Sequence, residues 1–203
     1  DLGFPDSAVL LPSNLRDTTD LQQITEEARI SSNGDGRFQW LVGAFYSTTD
    51  RDYAQLLPTP GFDFYQDAAA VASRQDMDPD NDFPFASDTA NGFGPDSPYN
   101  AVLPYDIRQY AIFGEATLDV TERLHATAGV RYYNFKEERR FTSGGLFANG
   151  DDELDTTSSD GFSPRFLLSY DVSDDVTLNA QASKGFRLGG ANDPLNLTLC
   201  GPD

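Results

Sequence analysis

The sequence is poor in the residues on which many catalytic and metal sites depend. Its 203 residues include one cysteine, Cys200, so no internal disulfide can form. His125 is the one histidine and lies beside a predicted turn, which leaves a hydrolytic triad or a histidine zinc site without a suitable base. The sequence therefore predicts neither an enzyme nor a bound cofactor, and it offers no candidate catalytic residue.

Positive charge and long apolar runs are also scarce. The 14 Lys and Arg residues face 33 Asp and Glu residues, and the net charge of -19 argues against nucleic acid and against peripheral binding to anionic lipid. No segment approaches the roughly 20 apolar residues of a membrane-spanning helix. A membrane β-barrel remains open, because each of its strands alternates apolar and polar residues.

Such alternation is clearest between Arg108 and Arg140. One side of two predicted strands carries apolar residues, which define the apolar face: Tyr110, Ile112, Ala116, Leu118, Val120, Leu124, Ala126, Ala128, Val130 and Tyr132. The other side, the polar face, carries charged and hydroxyl residues. Period-2 alternation over about ten residues predicts strands of roughly 33 Å, long enough to cross a bilayer when tilted. The charges on the polar face favour a barrel lumen over the interior of a sandwich.

The connections between strands alternate in length. Strands are predicted at about 24–32, 38–50, 108–120, 124–141, 162–171 and 176–187. Short turns at 33–36, 121–123 and 173–175 alternate with long loops at 48–107, 142–161 and after 188. Residues 1–22 read as a loop, and 66–75 as a short helix within the acidic loop. This pattern predicts an all-β, antiparallel, up-and-down sheet of six strands, with short periplasmic turns and long external loops.

Several segments resemble one family of barrels. LVGAFY, QYAIFGEATLDVTERLHATAGVRYYN, SPRFLLSYDVSDDVTLNAQASKGFR and GGANDPLN are similar, in order and spacing, to the middle of TonB-dependent outer-membrane receptors. The resemblance implies a barrel of about 22 strands with an N-terminal plug domain. It implies TonB-driven import of a scarce nutrient across the outer membrane of Gram-negative bacteria: a ferric siderophore, a vitamin B12-like molecule or a glycan.

Six strands are too few to close a barrel, since the smallest barrels have about eight. We therefore expect residues 1–203 to be a piece of the barrel or one part of a split barrel. The expected partners are outer-membrane lipid, the remaining strands, the plug domain, the TonB system and a small-molecule or oligosaccharide ligand. A passive porin is the main alternative and differs in lacking a plug. A secreted β-sandwich binding module is less compatible with strands near ten residues.

Five charged residues are predicted to form a belt on the polar face, four of them at similar distances from the short turns and Arg29 one polar-face position closer to its turn. They are Glu27, Arg29, Glu115, Arg131 and Arg165. One interpretation is that neighbouring charges neutralise each other. The other, which the resemblance supports through the plug–barrel Arg–Glu contacts of the family, is that Glu27 and Glu115 receive arginines of the plug.

The acidic external loop holds two further candidate sites. Alternating carboxylates at Asp76, Asp78, Asp80 and Asp82 resemble the start of a calcium loop, but the Gly and Glu of an EF-hand are missing, so a solvated acidic rim is the alternative. Aromatic residues of the loop either pack on one another or bind an aromatic chelate or a sugar. The predicted ligand-binding residues are Phe64, Tyr65, Phe83, Phe85, Tyr133 and Arg187.

Overall fold

Six strands and two helices make up the computed structural model, which describes residues 8, 10–75, 82–187 and 189. In chain order they are β1 (Arg16–Ser31), β2 (Phe38–Leu56), α1 (Phe62–Ser73), α2 (Ala86–Thr89), β3 (Asn100–Asp119), β4 (Leu124–Gly144), β5 (Asp152–Ser173) and β6 (Val176–Ser183). Neither helix in this part of the chain is long and apolar enough to cross a membrane.

All six strands belong to one sheet in the order β1-β2-β3-β4-β5-β6, and every neighbouring pair is antiparallel. The predicted all-β, up-and-down architecture is thus confirmed. The three short turns lie where the sequence predicts them, between Ser31 and Phe38, between Asp119 and Leu124, and between Ser173 and Val176. They connect the strands at one end of the sheet, which we call the turn end.

The apolar face is largely exposed to the surroundings. Ile112 is 64% and Val42 is 47% exposed, far more than is usual for large apolar side chains inside a soluble domain. Other large residues exposed on this face are Trp40, Tyr46, Tyr110, Leu118, Val130, Phe162, Phe166, Leu168, Tyr170 and Leu178. An apolar surface that runs across most of a sheet, with aromatic residues among aliphatic ones, has the composition of a lipid-facing barrel wall.

Five of the six strands are longer than predicted at the end opposite the turns, whereas β6 is shorter and ends at Ser183 and not at 187. The first loop spans residues 57–99 and not 48–107, and residues 152–161, predicted as loop, are part of β5. In addition, β1 begins at Arg16 within a segment predicted as loop. In these extensions the backbone ladder continues, but charged residues such as Asp50, Glu138 and Arg140 occupy the positions that carry apolar residues nearer the turns. Leu103 and Phe141 are buried on the opposite face, so the apolar residues change sides there and sequence periodicity underestimated the strands.

The loop between β2 and β3 folds onto these extensions. The predicted helix is confirmed as α1, although it begins four residues earlier, at Phe62, than predicted. Backbone hydrogen bonds run from Gly145 N to Thr89 O (2.7 Å) and from Phe147 N to Pro98 O (2.8 Å), so this loop is tied to the β4–β5 connection. The buried core lies beside it and consists of Ala101, Leu103 and Phe141 with Tyr53, Tyr99 and Tyr105 packed against it.

Side chains tie neighbouring hairpins together at the turn end. Arg37, in the first turn, donates from Nη2 to Val120 O (2.6 Å). The imidazole of His125 on β4 bridges two carboxylates, with Nδ1 at 2.6 Å from Asp119 on β3 and Nε2 at 3.2 Å from Asp171 on β5. Thr177 on β6 donates to the same Asp171 (2.6 Å). His125 therefore connects three adjacent strands, β3 to β5, and Asp171 extends the connection to β6.

Candidate functional site

The predicted belt falls on three adjacent rows of the polar face. The central row pairs Arg29, Gly43, Phe113, Arg131 and Ser163 across β1 to β5. Glu27 lies one row further from the turn end. Glu115 and Gly129 lie one row closer to the turn end, beside Arg165. The pairing register thus aligns Arg29, and not Glu27, with Arg131. All five predicted residues share the polar face within this narrow band.

Both glutamates of the belt have arginine partners within the sheet. Glu27 accepts a hydrogen bond from Nε of Arg29, two residues along the same strand. Glu115 Oε2 accepts from Arg165 Nη1 at 3.0 Å, across β4. Gly129 lies between these two strands, and a Cβ there would come within 3.3 Å of Glu115 Oε2, so the glycine leaves room for the carboxylate. Because these pairs are partly exposed, each contributes little to stability, typically about 0–1 kcal/mol.

Arg131 differs from the other arginines of the belt. Its guanidinium carbon lies 5.1 Å from the ring centre of Phe45 and 5.9 Å from that of Phe113, both within cation–π range. No carboxylate among the described residues forms an ion pair with it. Its Nε atom is buried without a hydrogen-bond partner in the described part of the chain, and so is Oγ of the paired Ser163.

Tyr133 occupies the next row of the polar face. Its ring stacks on Phe186 at a centroid distance of 4.0 Å and an interplanar angle of 18°. Gly161 lies under the ring, since a Cβ at this position would come within 3.1 Å of the Tyr133 hydroxyl. Phe186 follows the end of β6, so the chain there turns towards the polar face. Arg187, the next residue, is exposed. Of the predicted ligand-binding residues, Tyr133 lies within the belt, in the row of Glu27, whereas Arg187 lies beyond the paired part of β6.

The aromatic candidates of the external loop form separate contacts. Phe64 and Tyr65 on α1 make an edge-to-face contact at 5.4 Å, with Phe64 exposed. Phe85 lies under the guanidinium of Arg74 (4.2 Å), whose Nη1 also donates to the carbonyl of Phe83 at 3.1 Å. A cavity of about 340 Å³ opens nearby between α1 and α2, and polar residues such as Asp63, Asp67, Ser87 and Thr89 line it. None of the four predicted aromatics lines this cavity.

The calcium hypothesis falls mostly outside the described residues. Asp76, Asp78 and Asp80 lie in the range 76–81, which the structure does not describe, and only Asp82 is described. Within the described residues, no three His, Cys, Asp or Glu side chains come together as a metal site.

Sequence reasoning missed the aromatic partners of the belt. Phe45 and Phe113 occupy polar-face positions in strands whose other apolar residues lie on the opposite face, and Phe186 lies beyond β6. The signal that could have identified the first two is an aromatic residue that occupies a polar-face position of a strand near a glycine. A Cβ on Gly43, for example, would come within 2.5 Å of the Phe113 ring.

A single antiparallel, up-and-down sheet with one apolar face and one charged face has the architecture of a segment of a β-barrel wall. The sequence matches the family described as TonB dependent receptor-like, beta-barrel, over residues 4–198, so the chain belongs to this family. Members of the family are outer-membrane transporters and not enzymes.

A solved structure similar to the chain is the ferric yersiniabactin uptake receptor FyuA from Yersinia pestis. The TM-score is 0.59 at 13% sequence identity, over 80% of this chain and 20% of that receptor. At this identity the similarity shows the shared fold, and the chain spans a fifth of the receptor it matches. A search of curated proteins finds no match.

Proposed function

We propose that this chain is a six-strand part of the barrel of a receptor that imports a scarce nutrient across the outer membrane, with energy delivered through TonB. The observation that carries the proposal is the single antiparallel, up-and-down sheet with an exposed apolar face, in a chain of which residues 4–198 match the receptor-barrel family. The partners of the intact protein are then lipid, the remaining strands, a plug domain and the TonB system.

The polar face is the surface that faces the plug in this proposal. Glu27 and Glu115 are the groups expected to meet arginines of the plug, and each already contacts an arginine of the barrel. A plug arginine would share these carboxylates, which is possible because an ionised carboxylate can accept about four hydrogen bonds. Both glutamates keep part of their surface exposed on the polar face, which supports this role.

For the ligand, we propose a ferric siderophore as the first class to test. The similar structure is described as a ferric yersiniabactin uptake receptor. Exposed Phe64, together with Tyr65, provides an aromatic surface at the external end, and the cavity beside α1 provides carboxylate and hydroxyl groups. A glycan would use the same two features, through stacking and hydrogen bonding.

The test is uptake by cells that carry the intact receptor. We expect radiolabelled ferric siderophore to accumulate in cells with the receptor and functional TonB, and to stay at background when either is deleted. The variant E27Q/E115Q should assemble normally, because neither residue faces lipid, and should show lower uptake. Uptake that persists without TonB would contradict the proposal and favour a porin. Failure with siderophores but TonB-dependent uptake of a glycan would change only the ligand class.

A further inference from the structure

The belt carries one more positive charge than negative charge, although the protein as a whole is acidic. In the belt, two carboxylates, Glu27 and Glu115, face three guanidinium groups, and the ion pairs occupy Arg29 and Arg165. Arg131 is left without a carboxylate among the described residues. In a chain with a net charge of -19, acidic residues are abundant, so this positive charge is unusual.

Arg131 is held in place by aromatic rings. Phe45 on β2 and Phe113 on β3 lie within 6 Å of its guanidinium carbon, which restricts the side chain to one region of the polar face. Such restraint lowers the entropy lost when a partner binds, because the guanidinium is already positioned. A flexible surface arginine would not have this advantage.

Two hydrogen-bond donors at this place have no acceptor. Nε of Arg131 and Oγ of Ser163 are buried, belong to paired residues on β4 and β5, and have no hydrogen-bond partner among the described residues. Buried polar groups in native proteins are almost always satisfied, so an orphaned pair points to a missing partner. Since both groups can donate and one is charged, the partner that fits best is an anion.

We propose that Arg131 and Ser163 form a receiving site for a carboxylate side chain of the plug domain. The inference rests on the proposed function and deepens it, since it adds a plug contact in which the barrel supplies the cation. Arg131 lies about 26 Å along β4 from the turn. It is therefore inside the membrane-spanning part of the barrel, where a plug would lie. A permanent plug carboxylate would neutralise the Arg131 guanidinium in the resting state, whereas a passing anionic cargo would leave its charge unpaired most of the time.

The experiment measures how firmly the plug closes the intact receptor. Single-channel conductance in planar bilayers is recorded at increasing urea for the wild type, R131M, R131K and S163A. The matched control is R51M, because the Arg51 guanidinium also lies on two rings, Tyr53 (5.1 Å) and Tyr105 (5.4 Å), but in the external extension. Heat-modifiable migration in detergent gels verifies assembly of each barrel, and R131Q replaces R131M if the latter does not assemble.

We expect R131M to open at lower urea than the wild type, with an open probability about tenfold higher at a fixed urea concentration, equivalent to ~1.4 kcal/mol. R131K should lie between the two, S163A should shift in the same direction by less, and R51M should match the wild type. Opening of R131M at the same urea as the wild type would overturn the inference. Equal opening of R51M and R131M would also overturn it, because the loss of an arginine that packs on aromatic rings would then be enough to explain the opening.

Two further outcomes separate the inference from the proposed function. If R131M stays closed like the wild type but no longer retains a ferric siderophore with carboxylate groups, the anion is cargo, and the plug contact is wrong. If the wild type conducts in the absence of urea and of any energy source, no plug closes the barrel. In that case the proposed receptor function fails together with the inference.

Discussion

Gly43 on β2 lies directly under the ring of Phe113, its pairing partner on β3. A Cβ at position 43 would come within 2.5 Å of Phe113 Cζ and within 2.9 Å of the Ala28 carbonyl oxygen on the other side. The same ring contacts the guanidinium groups of Arg29 and Arg131. The absence of a side chain on one strand therefore allows an aromatic ring of the next strand to lie flat and support the central row of the belt.

Substitution of Gly43 should consequently destabilise the sheet. We expect Gly43→Ala to lower the free energy of unfolding of the intact barrel by about 1–3 kcal/mol, because both a ring and a backbone carbonyl would have to move. Urea titration in lipid vesicles provides the measurement. Gly34→Ala, in a turn with no atom within 4 Å of the added carbon, is the matched control and should have little effect. Equal effects of the two substitutions would show that the close packing at Gly43 is unimportant.

The two faces of β2 should tolerate a charge very differently. Val42 lies on the exposed apolar face, and Val42→Arg should destabilise the barrel by about 2–4 kcal/mol if it faces the middle of the bilayer. Leu41 is its neighbour, lies on the polar face and pairs with Glu115, so Leu41→Arg should be far milder. The fraction assembled into vesicles measures both. Similar losses from the two variants would mean that the faces are wrongly assigned.

The external ends of β4 and β5 should separate more readily in acid. Arg140 donates two hydrogen bonds to Asp152, at 2.7 and 2.8 Å, and these lower the pKa of the Asp152 carboxyl below its ordinary value. A lowered folded-state pKa gives a stabilisation that is present above the ordinary value of about 3.9 and is lost as pH falls through the folded pKa.

Amide hydrogen exchange at residues 140–142 and 152–154 measures this effect. Wild type should be better protected than Arg140→Met at pH 6, and the difference should shrink as the pH falls below about 3.9 and disappear below the folded-state pKa of Asp152. The double variant R140M/D152N should show no pH-dependent difference from R140M over this range. A wild-type advantage that persists undiminished at pH 3 would contradict a role for the ionised Asp152.

Sequence alternation was sufficient to predict the sheet, its order and its turns, but only where one face meets lipid. In that region apolar residues such as Ile112 and Leu118 recur at every second position, and Asn33 to Gly36 identify a turn. In the extensions away from the turns, charged residues such as Asp50 and Glu138 occupy the positions of the apolar face, while Leu103 and Phe141 are buried on the opposite face. The apolar pattern therefore changes sides, and the backbone ladder there could be found only from the structure.

The candidate site was predicted only in part for a similar reason. Charge identified Glu115 and Arg165, and their distances from the turns predicted similar heights, in agreement with the one row that they share across β4. Arg131 could be recognised as the arginine without a carboxylate only from the structure, because the spacing of residues along the strands does not show which carboxylate each arginine contacts. Phe186 joins the polar face because the chain bends after β6, a change of direction that parity along the strand does not predict.

The most direct test of the account is the environment of successive residues along β3 in the intact protein in membranes. Spin labels are attached one at a time at positions 110 to 118, and their collision rates with oxygen and with a water-soluble nickel complex are measured. We expect labels at even positions, such as 112 and 118, to collide mainly with oxygen, which concentrates in lipid, and labels at odd positions to be shielded from it. Even positions shielded from both reagents would place the apolar face inside a protein core and would contradict the assignment of this chain to a membrane barrel wall.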